Sequence, residues 1–101
     1  MFNTTVAPGG DLVLSGRLTA DHVHGFEQTL AGVSGSCRVD LKDAAMISSA
    51  GLGALLACQK RLEDTGGELI LYRPSRRIRE VFRLVGFSHI FRIEDEAVDT
   101  P

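Results

Sequence analysis

The sequence predicts an α/β fold in which helices cover a small mixed β-sheet. Strand-like segments alternate with segments of helical periodicity along most of the chain. The segment ELILY, residues 68–72, is mostly apolar, as in strands that are buried on both faces. With 101 residues the chain has room for one domain with one modest core. We expect a single domain over 1–101, with its core at about 10–94 and an acidic tail at 94–101.

The predicted strands are short runs that are rich in apolar and β-branched residues. They occupy residues 2–6, 12–17, 38–41, 46–47, 68–72 and 90–93. The turn-prone segment APGGD separates the first two strands, and KDAA at 42–45 is expected to break the extended segment that follows the first helix.

The first and third predicted helices each have a polar cap and an apolar stripe. The first, at 19–32, is expected to be capped by Thr19 or Asp21. The third begins at the cap Ser75 and ends at Gly86. Their expected buried residues are Val23, Phe26 and Leu30 on the first helix, and Ile78, Val81, Phe82 and Val85 on the third.

The second predicted helix starts after two serines and stops at Thr65-Gly66-Gly67. One side carries the leucines that are expected to be buried, with Gln59 near their middle: Leu52, Leu55, Leu56 and Leu62. The opposite side is expected to be exposed and carries Ala54, Ala57, Lys60 and Arg61.

Composition and charge argue against several classes of function. The net charge of −2 gives no field that attracts nucleic acid or a membrane surface. No apolar run approaches the roughly 20 residues of a membrane span, and the first ten residues lack the features of a signal peptide. Cys37 and Cys58 lie in apolar contexts without metal-ligand spacing, so we expect reduced thiols in a cytoplasmic protein.

No metal or cofactor site is expected. His22 and His24 are two residues apart and diverge on a helix, and His89 stands alone. Gly51-x-Gly53 lacks the third glycine of a dinucleotide loop, and no P-loop lysine follows it. The arginine-rich segment 73–92 is interpreted as a solvated helix face, with steering towards an acidic partner or a nucleic-acid patch as alternatives.

The segment MISSAGLGALLA, residues 46–57, passes from a strand to a helix through two serines and two glycines. Ser48 or Ser49 fits the helix N-cap, because a hydroxyl there accepts an otherwise unpaired N–H. A hydroxyl at a helix N-terminus is also a favourable place for a phosphate. The glycines and alanines that follow would leave a flat surface for another protein. Bulk at Gly51 is therefore expected to weaken partner binding far more than it lowers the melting temperature.

An ordered series of short motifs from residue 38 to residue 93 resembles the STAS domain, and more narrowly the bacterial anti-sigma factor antagonists. The series consists of Asp40-Leu41, Ser48-Ser49-Ala50-Gly51-Leu52-Gly53, Gly66-Gly67, Leu69–Tyr72, Pro74-Ser75 and Val85-Gly86-Phe87. The resemblance implies a STAS-type fold and a regulatory binding protein rather than an enzyme. Asp40 either orients a serine hydroxyl, coordinates a cation or, as the preferred interpretation, occupies a turn.

The resemblance also implies a switch between partners. The unphosphorylated antagonist binds an anti-sigma factor that is a serine kinase, which releases a sigma factor. Phosphorylation of a serine before the helix ends this complex, and a phosphatase of the PP2C type restores it. Many members have serine at the position of Ala50 and aspartate at that of Ser48. Here the acceptor is expected to be Ser49, with Ser48 as second choice, or else phosphorylation control has been lost.

The predicted partner-binding residues span the junction and the exposed side of the second helix. They are Ser48, Ser49, Ala50, Gly51, Leu52, Gly53, Ala54 and Ala57. An alternative from the same resemblance is a STAS accessory subunit that attaches to the ATPase of an ABC-type lipid transport system. A third hypothesis, an enzyme or nucleotide-binding domain, has no supporting motif.

Overall fold

The computed structural model describes residues 1–95 and contains one five-stranded mixed sheet with the strand order β1-β2-β3-β4-β5. The elements are β1 (Phe2–Val6), β2 (Leu12–Leu18), α1 (Ala20–Ala31), β3 (Cys37–Ile47), α2 (Ser49–Glu63), β4 (Leu69–Tyr72), α3 (Arg76–Leu84), a short 3-10 helix (Phe87–His89) and β5 (Arg92–Glu94). β1 and β2 are antiparallel, and the other neighbouring strands are parallel. The predicted fold class is confirmed, whereas residues 96–101 of the predicted acidic tail lie outside the described residues.

The core lies on one face of the sheet. Leu12 and Val39 are paired neighbours on β2 and β3, and Val39 is paired with Leu71 on β4; all three are buried. Parallel strands connected through a helix form right-handed crossovers, which place α1 and α2 side by side on this face. The predicted stripe of α1 is buried as expected at Val23, Phe26 and Leu30.

The predicted break at 42–45 is wrong, because β3 continues through it to Ile47. β2 remains paired with β3 along this stretch, and the register shifts by a residue between Val13 and Ser15 and again between Gly16 and Arg17. Such irregularities let a strand carry extra residues without ending. As a result, β3 extends beyond β4, whose pairing ends at Asp40 and Tyr72.

Several expected helix positions differ in the structure. Thr19 occupies the N-cap position of α1, but its hydroxyl lies 3.1 Å from His22 Nδ1 and caps no backbone N–H. Ser75 caps α3 as predicted, since its Oγ accepts the Ile78 N–H at 3.2 Å. Val85 is exposed rather than buried, because α3 ends one residue earlier and the chain turns at Gly86.

The C-terminal strand is displaced from its predicted place. Residues 87–89 form a 3-10 helix, and β5 covers Arg92–Glu94 instead of 90–93. Phe87 stacks on Phe82 with ring centroids 5.6 Å apart and also contacts Phe91 at 4.8 Å. This aromatic cluster anchors the end of α3, and Gln59 of α2 donates to the Ile90 carbonyl beside it.

Candidate functional site

Ser48 is the N-cap of α2. Its Oγ accepts the Gly51 N–H at 3.2 Å, and its own N–H donates to the Leu18 carbonyl at 2.9 Å. One residue thus connects the helix start to the end of β2. Of the two predicted caps, the structure selects Ser48.

Ser49 is the first residue of α2 and is exposed. Within residues 1–95 its hydroxyl has no hydrogen-bond partner, so its oxygen is available to a second molecule. The first turn of α2 carries no acidic side chain, and the helix dipole places partial positive charge there. Ser48 and Ser49 are therefore adjacent in sequence but differ in environment.

Gly51 is buried, contrary to the expectation that it forms part of a contact surface. A Cβ at this position would lie 2.7 Å from Leu18 Cδ2 and 3.0 Å from Ile47 Cγ2. The glycine therefore allows the first turn of α2 to pack closely against β2 and β3. The expectation that bulk at Gly51 acts mainly on a partner loses its structural basis, because the position is buried.

The exposed side chains in the N-terminal part of α2, residues 49–57, are small. We call this surface the α2 face and define it by the exposed residues Ser49, Ala50, Gly53 and Ala57, with the half-buried Leu52 and Leu56 beside them. A Cβ on Gly53 would meet no atom within 4 Å. Ala54 does not belong to this face, because it is only 6% exposed and packs in the core. Six of the eight predicted partner-binding residues thus remain accessible, and Gly51 and Ala54 do not.

Asp40 lies within β3, so its predicted place in a turn is wrong. Its hydrogen bonds within residues 1–95 go to Lys42 and Arg73 and not to either serine. Its Oδ1 accepts from Arg73 Nε at 3.0 Å and from the Lys42 N–H at 3.0 Å, and its Oδ2 accepts from Arg73 Nη2 at 2.8 Å. The Arg73 guanidinium, followed by the Lys42 N–H, holds the pKa of this carboxyl below its usual value. Asp40 is thus held by Arg73, the residue that follows β4.

Neither a metal site nor a membrane span is found in the described part of the chain. Residues 1–95 contain no group of three or more His, Cys, Asp and Glu side chains arranged to hold a metal ion. Their helices are too short or too polar to cross a bilayer. Cys58 is buried and Cys37 is half-buried, both are free thiols, and burial raises the pKa of each.

A comparison with protein-family models agrees with the motif order, the mixed sheet and the serine junction. The family model described as "Mlab, STAS domain" matches residues 5–93. The chain belongs to the STAS domain family. The suggested resemblance is thereby confirmed at the level of the family.

Relatives of this STAS domain are named as anti-sigma factor antagonists. BtrV of Bordetella bronchiseptica is 42% identical over 55 residues, which cover 54% of this chain and 47% of BtrV. The anti-sigma-B factor antagonist of Listeria monocytogenes is 33% identical over 58 residues, or 57% of this chain and 51% of that protein. The matched part spans about half the length of these relatives.

Solved structures share the fold. A crystal structure of an anti-sigma factor antagonist from Thermotoga maritima has a TM-score of 0.77 at 22% identity, covering 95% of this chain and 87% of that one. The phosphorylated form of SpoIIAA, the Bacillus cell fate determinant, has a TM-score of 0.71 at 21% identity, covering 96% and 92%. These likenesses establish the STAS-type architecture.

Two features of this STAS domain were not anticipated from the sequence. The carbonyl of Leu18 fixes Ser48, although the two residues are 30 positions apart and no local pattern connects them. Most arginines of the segment 73–92 are engaged by carboxylates: Arg73 by Asp40, Arg79 by Asp95, Arg83 by Glu80, and Arg92 by Glu68. Within residues 1–95 this pairing leaves only Arg76 and Arg77 of the segment without an ion pair, which favours the solvated-face interpretation over a nucleic-acid patch.

Proposed function

We propose that this STAS domain is an anti-sigma factor antagonist that binds a serine-kinase anti-sigma factor through the α2 face, and that phosphorylation of Ser49 ends the complex. The observation that carries the proposal is the exposed hydroxyl of Ser49, unbonded within residues 1–95, at the start of a helix whose first turns expose only small side chains. The names of the relatives support the same function.

The electrostatics of the α2 N-terminus suit a reversible switch. Unpaired backbone N–H groups and the helix dipole stabilise a phosphate, while no acidic side chain of the first turn opposes it. The same group carries a charge of about −1.5 to −2, and burying it against a docked protein is costly. Adding phosphate at Ser49 is therefore compatible with the free domain and incompatible with a packed complex.

The acceptor is tested by incubating the chain with its cognate kinase and ATP and measuring intact mass. We expect the wild type to gain one phosphoryl group and Ser49→Ala to gain none. The matched control is Ser48→Asn, which removes the other hydroxyl but retains a good N-cap. It should be phosphorylated like the wild type. Phosphorylation of Ser49→Ala but not of Ser48→Asn would move the acceptor to Ser48, and no phosphorylation of the wild type would contradict the switch.

The contact surface is tested by adding bulk without charge. We expect Gly53→Gln to weaken kinase binding at least tenfold, because its side chain would project from the α2 face. Gln28→Ala on the exposed side of α1 is the control and should bind normally. Ser49→Asp should reduce affinity only partly, since one carboxylate carries less charge than phosphate. Unchanged affinity in both Gly53→Gln and Ser49→Asp would contradict docking through this face.

The remaining parts of the proposal follow from this role. The chain acts as a ligand and substrate of the kinase rather than as an enzyme, and a phosphatase, which we expect to be of the PP2C type, restores binding. We place these reactions in the cytoplasm, where the kinase has access to ATP. Binding of the chain requires no metal or cofactor in this scheme.

A second candidate is an accessory subunit of an ABC-type lipid transport system. The family description "Mlab, STAS domain" is the observation that supports this second candidate. The two are separated by identifying the protein that co-purifies with the full chain. Recovery of an ABC-type ATPase without an anti-sigma factor would replace the first proposal with the second.

A further inference from the structure

A cavity of about 200 Å³ lies between the last residues of β3 and α3. It forms where β3 extends beyond the end of β4, so that α3 rather than a strand flanks this part of β3. Its apolar lining includes Ile47, Ile78, Val81 and Phe82, of which Ile78 and Phe82 are buried. The exposed residues Arg17 and Arg77 lie at the same cavity and supply its charge.

Arg17 and Arg77 place positive charge at this cavity. Among the described residues 1–95, no carboxylate lines it. Within residues 1–95 neither Arg17 nor Arg77 takes part in an ion pair, in contrast to most arginines of the segment 73–92. Guanidinium groups bind carboxylates through paired hydrogen bonds, so an anion placed between them would be stabilised by both.

The volume limits what fits. An apolar cavity of roughly 150 Å³ can hold a benzene-sized molecule, whereas pockets for drug-sized ligands measure about 300–1,000 Å³. We propose that this cavity binds a small amphipathic carboxylate, with a ring or short chain against Ile78, Val81 and Phe82 and the carboxylate between Arg17 and Arg77. The cavity shares no lining residue with the α2 face, and its existence does not depend on the proposed partner.

The test is a titration of the full chain with 3-phenylpropionate, followed by amide shifts in NMR spectra. We expect saturable shifts centred on Ile47, Ile78 and Val81. Two further probes separate the apolar contribution to binding from the electrostatic one. 3-Phenylpropanol has the hydrocarbon without the charge, and acetate has the charge without the aromatic hydrocarbon. Each should bind at least tenfold more weakly than 3-phenylpropionate.

Variants test whether Arg17 and Arg77 supply the charge that binds the carboxylate. Arg77→Gln and Arg17→Gln should each weaken 3-phenylpropionate binding at least fivefold. Arg76→Gln is the matched control, since Arg76 is an exposed neighbour outside the cavity lining, and it should leave affinity unchanged. The proposal is overturned if 3-phenylpropionate causes no saturable shifts at the cavity, if the alcohol or acetate binds equally well, or if Arg76→Gln weakens binding as much as Arg77→Gln.

Discussion

Of the two serines at the start of α2, Ser48 caps the helix and Ser49 is exposed to solvent. Ser48 Oγ bonds the Gly51 N–H, whereas the Ser49 hydroxyl faces solvent. We therefore expect Ser48→Ala to lower the free energy of unfolding by about 1 kcal/mol, the usual cost of a lost N-cap. Ser49→Ala should change it by less than about 0.5 kcal/mol. Urea denaturation of both variants checks this, and equal losses would contradict the assignment of the cap.

The two glycines of α2 give opposite predictions. Gly51→Ala would press a methyl group onto Leu18 and Ile47, and we expect a loss of about 1–3 kcal/mol, as in overpacked cores. Gly53→Ala adds its methyl group in open space and should stabilise the helix by up to about 1 kcal/mol. Melting temperatures provide the comparison. A stabilised Gly51→Ala would show that the first turn of α2 can move away from β2.

The pairing of Asp40 with Arg73 makes stability depend on pH. Because the pKa of Asp40 is lowered in the folded state, its contribution is complete above the unfolded value, about 3.9, and is lost as the pH falls through the folded value. Asp40→Asn should therefore cost about 1–3 kcal/mol at pH 7 and lose less further stability on acidification than the wild type. Urea denaturation at pH 7 and pH 3 measures both effects. Asp43→Asn, an exposed change on the same strand, is the control and should behave like the wild type.

At the scale of elements, the sequence predicted the existence of nearly every strand and helix, and it failed where tertiary pairing overrides local preference. The polar stretch 42–45 remains a strand because β2 pairs with it through register shifts that no local pattern reveals. Val85 has the right spacing for the buried stripe of α3 but lies beyond its end. At the site, capping preferences predicted that one of the two serines begins α2. The burial of Gly51 and Ala54 could not be predicted in this way, because it depends on residues distant in sequence.

Gly16 on β2 packs tightly against the first residues of the chain, where β1 begins. Its φ is +85°, in the region that favours glycine, and a Cβ there would lie 1.8 Å from the Met1 carbonyl oxygen, which accepts the Arg17 N–H. We expect Gly16→Ala to displace the start of β1, with a strain of at least about 1–2 kcal/mol if the backbone is retained. Hydrogen exchange of the β1 amides should accelerate in this variant. It should not do so in Ser15→Ala, and unchanged exchange in Gly16→Ala would contradict the tight contact.

At the scale of the whole molecule, all three helices and the sheet contribute to one hydrophobic cluster. We therefore expect residues 1–95 to unfold in a single cooperative transition. Circular dichroism follows the helices, and the fluorescence of Tyr72, the only tyrosine in a chain without tryptophan, follows the C-terminal end of β4. The two urea curves should coincide. Separate midpoints would indicate that β4 and its neighbours unfold independently of the helices.

The division of tasks between Ser48 and Ser49 has an evolutionary consequence. Under the proposed function, a codon change at position 49 would alter or erase a regulatory input. It would leave the architecture intact, since within residues 1–95 that side chain makes no hydrogen bond. Substitutions at position 48 are limited by stability, because this residue caps α2. If Ser49 is the acceptor, as proposed, lineages carrying this domain can change their response to signals at one residue, while selection for folding retains the adjacent residue.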